Sequence, residues 1–148
     1  MPTLAKNKQG LYNYEVTSKN EGGLMLSGGE VKAIKQGKVN LKGAYITYEK
    51  DELWLKNMHI SAYQQKNQPG YEPERPRKVL MKRQEIDSLM GKSAGHGLTI
   101  LPISLYTKGG LIKIQLGLAR GKKARDKRQL IKKRDTDRRI GRALRNRS

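Results

Sequence analysis

The chain has no cysteine, which excludes disulfide bonds, thiolate metal sites and a cysteine nucleophile. No apolar run approaches the roughly 20 residues that a membrane-spanning helix needs, so we expect no membrane partner. The segment Met1–Lys6 lacks the apolar stretch of a secretory signal. Together these absences predict a cytoplasmic protein.

Acidic residues are also scarce: 13 Asp and Glu stand against 32 Lys and Arg in 148 residues, for a net charge of +19. A sequence pI near 10.3 indicates a polyanionic partner, either a nucleic acid or another anionic surface. The charge is concentrated at one end, because residues 119–148 hold 14 basic and 3 acidic side chains, a net +11. The length suits one compact domain. We therefore predict a folded domain at residues 1–118 and a basic tail at residues 119–148.

The tail has few apolar side chains to bury, so we expect it to be disordered when free. It contains no proline, and Ile140, Ala143 and Leu144 follow the i, i+3, i+4 spacing of a helix. A helix is therefore expected once a polyanion neutralises the charge. Such a run is typical either of a solubilising tail or of an RNA-binding arm, and the scarcity of acids favours the arm.

Alternating and β-prone runs predict six or seven short strands in the body. Three hairpins are expected, each from two runs joined by a turn. They pair residues 45–48 with 52–55, 98–106 with 111–118, and 11–16 with 24–26 around the turn at 19–23.

Two short helices are expected between the strands. The first covers residues 30–36, with Ser27 as N-cap, Glu30 as its capping-box partner and Gly37 as the stop; the second covers residues 82–90, with Gly91 as the stop. This pattern favours a mainly β fold, a small closed or partly closed antiparallel barrel of the oligonucleotide-binding type, because closure hides strand edges. A flat sheet with helices on one face is the alternative.

The residues that could support catalysis do not lie close together in the sequence. His59 and His96 have no metal-ligand spacing, and the pair Gly28-Gly29 fits neither a P-loop nor a dinucleotide fingerprint. No acid and base are paired locally. We therefore predict no enzyme activity, no metal and no cofactor. Because His59 lies between Met58 and Ile60, we expect it to be a packed structural histidine.

The sequence contains more residues suited to RNA binding than to catalysis. Basic clusters at residues 75–82 and 122–128 could contact phosphates. Trp54 and Tyr106 could stack on bases, but core packing is the favoured interpretation of both.

Eight motifs in register, spread over residues 7–145, resemble the bacterial SsrA-binding protein family, also called small protein B. They are Glu21-Gly22-Gly23, Gly28-Gly29-Glu30-Val31-Lys32, Gly37-Lys38-Val39-Asn40-Leu41, His59-Ile60, Arg75-Pro76-Arg77-Lys78, Gly97-Leu98-Thr99, Leu105-Tyr106, and Gly121-Lys122-Lys123 with Asp126-Lys127-Arg128.

The resemblance implies a β-barrel core that binds the transfer-RNA-like domain of transfer-messenger RNA, is delivered by elongation factor Tu, and acts on stalled ribosomes. It implies a transfer-messenger RNA site at Glu21, Lys32, Asn40, His59, Leu80 and Lys82, to which the basic cluster adds the expected phosphate contacts Arg75, Arg77 and Lys78. It implies a contact of the tail with small-subunit RNA, in the decoding centre and message channel, at Gly121, Lys122, Lys123, Arg125, Asp126, Lys127, Arg128, Lys132, Lys133, Arg134, Arg138, Arg139 and Ile140. Arg125 stands where the family often has an aromatic residue, and a guanidinium plane can also stack on a base. A ribosomal protein with a basic tail is the alternative.

Overall fold

The computed structural model describes residues 3–63 and 70–122. Within these ranges the chain forms nine strands and three helices: β1 (Thr3–Lys6), α1 (Lys8–Asn13), β2 (Tyr14–Leu24), α2 (Gly28–Lys35), β3 (Val39–Asn40), β4 (Tyr45–Glu49), β5 (Glu52–Lys56), β6 (His59–Ile60), β7 (Arg77–Leu80), α3 (Arg83–His96), β8 (Thr99–Lys108) and β9 (Leu111–Gly121). The mainly β prediction is confirmed.

Seven strands form one antiparallel sheet in the order β1-β8-β9-β2-β7-β5-β4, and β3 pairs with β6 in a second, two-stranded sheet. One face of the large sheet covers a core of aliphatic side chains that includes Leu53, Leu55, Leu105, Ile114 and Leu116. Helix α2 adds Ala33 and Ile34 to this core, and α3 adds Ile86 and Leu89. The other face of the sheet is left outside, and we call it the outer face.

The sheet is not closed into the predicted closed or partly closed barrel, because no ladder joins its two edge strands within the described residues. The last strand, β4, lies beside β8, but a cavity of about 260 Å³ lined by residues of both strands separates them. At this point β8 has few backbone groups free to pair with another strand. Pro102 has no N–H, and its carbonyl already accepts a 2.9 Å hydrogen bond from the Asn7 side chain. The β4 edge therefore stays unpaired on that side.

Two of the predicted hairpins are confirmed. Strands β4 and β5 pair from Tyr45↔Lys56 to Glu49↔Glu52, and β8 pairs with β9 over almost its whole length. Both turns use positive φ values at their two central residues, Lys50 and Asp51 in one and Gly109 and Gly110 in the other. This backbone conformation matches the twist of the flanking strands.

The third predicted hairpin is wrong, because residues 14–24 form the single long strand β2 and residues 8–13 form α1. The glycines assigned to a turn lie inside that strand. A Cβ at Gly22 would come within 3.1 Å of Val79 Cγ1 and 3.0 Å of Met81 Cγ. This glycine therefore permits close packing of the neighbouring chain.

The first predicted helix is confirmed with its capping box: Ser27 Oγ accepts from the Glu30 N–H at 3.2 Å, and Glu30 Oε1 accepts from the Ser27 N–H at 3.0 Å. The predicted end of the second helix is wrong. Helix α3 continues through Gly91 to His96 and ends at Gly97, which has a φ of 64°. A left-handed residue at this place is the usual helix stop.

Candidate nucleic-acid interface

Strand β7 divides the basic cluster at residues 75–82 between the interior and the outer face. Arg77 and Val79 point into the core, with 0% and 1% of their surface exposed. Lys78 and Leu80 point to the outer face, and Leu80 is 44% exposed. Arg77 therefore has no exposed surface in this structure, whereas Leu80 does.

The guanidinium of Arg77 is held in a network that we call the Glu30 cluster, formed by Glu30, Tyr71, Arg75 and Arg77. Arg77 Nε donates to Glu30 Oε2 at 2.8 Å, and Nη1 donates to the Met58 carbonyl at 2.6 Å. Its Nη2 donates to Tyr71 Oη and the Pro73 carbonyl at 3.0 and 2.9 Å. Every nitrogen of this buried side chain thus has an acceptor, as a buried charge requires.

The rest of the Glu30 cluster ties the segment before β7 to α2 and β6. Arg75 Nη2 donates to the other carboxylate oxygen of Glu30, and the Tyr71 hydroxyl donates to the Ile60 carbonyl at 2.9 Å. Arg75 keeps 37% of its side chain exposed. The cluster is therefore a scaffold with one exposed arginine at its edge.

Opposing effects set the pKa of Glu30. Burial raises this pKa, but the hydrogen bonds from the Ser27 N–H and from Arg77, with the positive charge of Arg77, outweigh burial and bring the pKa below its ordinary value of 4.5. Burial and the Glu30 charge raise the pKa of Tyr71. At neutral pH the cluster therefore holds an ionised Glu30 and a protonated tyrosine.

Cross-strand pairing assembles five side chains on the outer face. Leu80 on β7 lies opposite Gly23 on β2, Gly23 lies opposite Lys113 on β9, and Lys113 lies opposite Tyr106 on β8. Glu21 is two residues from Gly23 along β2 and shares its face. Lys78 lies two residues before Leu80, on the same face of β7, and forms an ion pair with Glu52 at 2.7 Å.

Gly23 leaves a flat place between Leu80 and Lys113, because it has no side chain. A Cβ built there would meet Leu80 Cβ at 3.4 Å and Leu80 Cδ1 at 3.8 Å. Trp54 on β5 extends the same face, opposite Lys78. It is half-buried and lies outside the core, so the core-packing prediction for Trp54 is wrong. Tyr106 is buried, with 8% of its surface exposed, but it packs on the outer face and is not part of the core cluster.

Glu21 is an acid among the basic side chains of this face. Its Oε2 accepts the hydroxyl of Tyr106, and Lys108 Nζ lies 3.4 Å from its Oε1. The hydrogen bond from Tyr106, with the ammonium groups of Lys108 and Lys113, holds the pKa of Glu21 below its ordinary value, although burial acts in the opposite direction. Burial and the bond to Glu21 raise the pKa of Tyr106 to about 12, so that its hydroxyl remains a donor.

A cleft of about 410 Å³ opens beside Glu21. Apart from Tyr106, its lining is polar or charged: Thr3, Lys19, Asn20, Glu21, Ser104 and Gln115. A surface with exposed apolar side chains, lysines and a polar cleft has the chemistry that binds unpaired nucleotides.

Comparison with known proteins decides the family. The family model described as "SmpB protein" matches residues 4–146. The SsrA-binding protein of Carboxydothermus hydrogenoformans is 49% identical over 144 residues, which cover 97% of this chain and 97% of the relative. That of Desulforudis audaxviator is 44% identical over 146 residues, covering 99% and 95%.

The chain belongs to the SmpB protein family.

A solved structure agrees with this membership. A chain described under "tmRNA-SmpB: a journey to the center of the bacterial ribosome" superposes with a TM-score of 0.65 at 38% identity, covering 80% of this chain and 84% of that chain.

The other residues that the resemblance to the SmpB family selected lie on different elements. Asn40 on β3 pairs with His59 on β6 in the small sheet, and Lys32 lies on α2 with its Nζ 5.4 Å from the ring centre of Tyr63. Lys82 is the exposed residue before α3. His59 is exposed, with Nδ1 3.5 Å from Glu74, so the packed structural role expected of it is wrong. The structure therefore unites Glu21, Lys78 and Leu80 on one face and places Asn40 and His59 on another sheet.

Most of the predicted tail site, from Lys123 to Ile140, lies outside the described residues. Strand β9 continues to Gly121, three residues beyond the predicted end of the folded domain. Lys122 donates its backbone N–H to the Asn13 carbonyl at 3.0 Å, and its Nζ lies 5.6 Å from the ring centre of Tyr12. The first two residues of the predicted tail site are therefore attached to β2 and α1.

Residues 3–63 and 70–122 hold no group of three or more His, Cys, Asp or Glu side chains placed to bind a metal ion. None of their helices is long and apolar enough to cross a membrane.

Sequence analysis missed Lys113 and the structural role of Glu30. Lys113 occupies an outward position of an alternating strand, and that alternation was visible; its closeness to Leu80 was not, because 33 residues separate them. Glu30 was assigned to a capping box, which it forms, but its pairing with Arg77 spans 47 residues and has no local signal.

Proposed function

We propose that this chain is an RNA-binding adaptor for trans-translation, which binds transfer-messenger RNA through the outer face and the stalled ribosome through its C-terminal residues. The proposal rests on family membership and on one observation: the joining of Leu80, Lys113 and Glu21 on a single exposed face by the pairing of β7, β2 and β9. The names of the relatives and of the solved structure point to the same RNA. They do not favour the alternative of a ribosomal protein.

The outer face offers two kinds of contact to an RNA. The ammonium groups of Lys19, Lys108 and Lys113 can neutralise phosphates, which supplies affinity without sequence preference. The exposed part of Leu80 and the half-buried Trp54 offer apolar surface to unstacked bases. We propose that Arg75, Lys78 and Lys82 extend this surface and that Lys32, Asn40 and His59 make separate contacts from α2 and the small sheet.

The C-terminal residues provide the ribosomal half of the function in this proposal. Residues 119–148 carry more than half of the net charge, and that charge suits ribosomal RNA. The expectation that this segment becomes helical when RNA neutralises it stays a prediction. An adaptor of this kind works in the bacterial cytoplasm and meets elongation factor Tu only through the RNA that both bind.

One experiment with matched variants tests the proposal. Lys113→Glu should lower affinity for transfer-messenger RNA about tenfold or more, and reduce the salt slope of binding by about one, because a phosphate contact is lost. Lys92→Glu makes the same charge change on the exposed surface of α3 and should have a much smaller effect. Affinity is measured by gel shift at several salt concentrations, with ordinary transfer RNA and an RNA duplex as competitors.

Removal of residues 123–148 is the complementary arm. The truncated chain should keep most of its affinity for transfer-messenger RNA but lose peptide tagging on stalled ribosomes in a reconstituted translation system. Equal losses of affinity in Lys113→Glu and Lys92→Glu would show that net charge alone sets binding, and would overturn the assignment of the outer face.

A further inference from the structure

The carboxylate of Glu21 is an unexpected group on a surface that binds RNA. Phosphates repel it, and its lowered pKa keeps it ionised at neutral pH. Within an RNA, a carboxylate can accept hydrogen bonds only from base N–H groups and from ribose 2′-hydroxyls. Glu21 therefore favours a hydrogen-bond donor of the RNA over a phosphate.

The geometry holds this carboxylate ready for such a donor. Tyr106, itself 8% exposed, donates to one oxygen, and Lys108 Nζ lies 3.4 and 3.5 Å from the two oxygens. Each carboxylate oxygen can accept about two hydrogen bonds, so each retains capacity. The Glu21 side chain is 35% exposed, and this open part is available to an incoming base.

The cleft beside Glu21 has the size and polarity for one nucleoside. Its volume of about 410 Å³ lies within the usual range of small-ligand pockets. Gln115 is the direct cross-strand partner of Glu21 and shares its face, so an amide that can donate stands next to a carboxylate that can accept. Lys19 lies at the same cleft and suits the phosphate attached to the nucleoside.

Only one RNA base matches that arrangement along its pairing edge. Guanine presents two adjacent donors, N1–H and the N2 amino group, beside the acceptor O6, whereas adenine, cytosine and uracil each present a single donor there. Two parallel hydrogen bonds to a carboxylate are the strong and selective form of this contact. We propose that Glu21 and its cleft bind an unpaired guanine of the RNA, with Glu21 accepting from N1–H and N2–H and Gln115 donating to O6.

Tyr106 is a positioning residue in this proposal, because it orients Glu21 and has little exposed surface of its own. The inference rests on the proposed function, since it names what the outer face recognises in the bound RNA.

Inosine interference tests the proposal, because inosine is guanosine without the N2 amino group. The full-length chain is mixed with transfer-messenger RNA that carries inosine at a small random fraction of its guanosines, and bound and free RNA are separated and sequenced. At one unpaired guanine, inosine should weaken binding about tenfold, the usual size of a good base contact. Glu21→Gln should bind more weakly and lose that interference.

Two variants control for structure and charge. Glu15→Gln changes an exposed carboxylate on the same strand, which forms an ion pair with Arg120 at 2.8 Å, and should keep the interference. Tyr106→Phe keeps the ring and removes the hydroxyl; it should weaken binding severalfold and reduce the interference without changing the thermal midpoint.

The possible outcomes distinguish a failure of the guanine proposal from a failure of the proposed function. Tight binding of transfer-messenger RNA with no Glu21-dependent guanine would overturn the base-reading inference alone. Loss of 2′-deoxy interference in Glu21→Gln, in place of inosine interference, would assign the contact to a ribose and also overturn it. A wild-type chain that binds transfer-messenger RNA no better than an unrelated duplex would overturn the proposed function itself.

Discussion

Arg77 and Lys78 are neighbours in sequence with opposite surroundings. Arg77 is enclosed, and its guanidinium is fully occupied by Glu30, Tyr71 and two backbone carbonyls. Lys78 lies on the outer face, where its single ion pair with Glu52 joins two partly exposed side chains. One cation therefore holds the fold together, and the other is available to a partner.

The same contrast separates Glu30 from Glu21. Glu30 is 1% exposed, and both of its carboxylate oxygens accept hydrogen bonds from groups of the protein. Glu21 is also held by a tyrosine and a cation, yet part of it remains open to solvent. A charge cluster whose groups are all paired is structural, whereas a cluster with spare capacity can bind.

The largest effect should follow from breaking the buried side of this comparison. Arg77→Met leaves Glu30 charged, buried and without its main partner, which costs about 3–5 kcal/mol in comparable buried pairs. We expect urea unfolding to show a fall of this order in the free energy of unfolding.

Lys78→Met is the matched control, because it removes one cation from the next position of the same strand. The loss of a surface ion pair should cost less than about 1 kcal/mol, while affinity for transfer-messenger RNA falls. If both variants unfolded at the same urea concentration, the division of β7 into a structural and a binding side would be wrong.

Acid should weaken the Glu30 cluster in a second, smaller way. The pKa of Glu30 lies below 4.5 in the folded chain and near 4.5 in the unfolded chain, so the folded state binds fewer protons in this range. The stabilisation is therefore present above pH 4.5 and is lost as pH falls through the folded-state pKa. The free energy of unfolding should decrease below pH 4.5 in wild type and decrease less in Glu30→Gln. Equal decreases would place the acid sensitivity on other carboxyls, such as Glu21.

The fold could be predicted from sequence wherever local signals decide. The β4–β5 and β8–β9 hairpins and the capping box of α2 depend on residues close together in the chain. Two of the failed predictions concern glycine. Gly22 was assigned to a turn but makes room for Val79 and Met81, and Gly91 was assigned to a helix end but lies inside α3. The same residue type serves turns, close packing and helices, and only the tertiary contacts distinguish them.

The candidate site could be predicted in part for a similar reason. Strand alternation places residues 77 and 79 on one face and 78 and 80 on the other, but it does not say which face is inside. Leu80 suggests one answer and Val79 the other. The choice is made by Glu30, 47 residues away, which supplies the countercharge for Arg77. The resemblance supplied Glu21 and Leu80, but the pairing that brings Lys113 to the same face, on the other side of β2 from Leu80, required the structure.

The smallest expected effect comes from removing one hydroxyl group, either that of Tyr71 in the Glu30 cluster or that of Tyr106 beside Glu21. Tyr71→Phe removes a hydroxyl that accepts from Arg77 and donates to the Ile60 carbonyl; it should lower the free energy of unfolding by about 1 kcal/mol, the usual net value of a hydrogen bond. Tyr48→Phe is the exposed control, since its hydroxyl contacts Asp51 and Arg83 at the surface and its loss should change stability by no more than about 0.5 kcal/mol. In Tyr106→Phe, water can replace the hydroxyl at the open side of Glu21, so the effect should fall on RNA affinity instead. A loss of stability in Tyr106→Phe as large as that in Tyr71→Phe would show that the Glu21 cluster is structural as well.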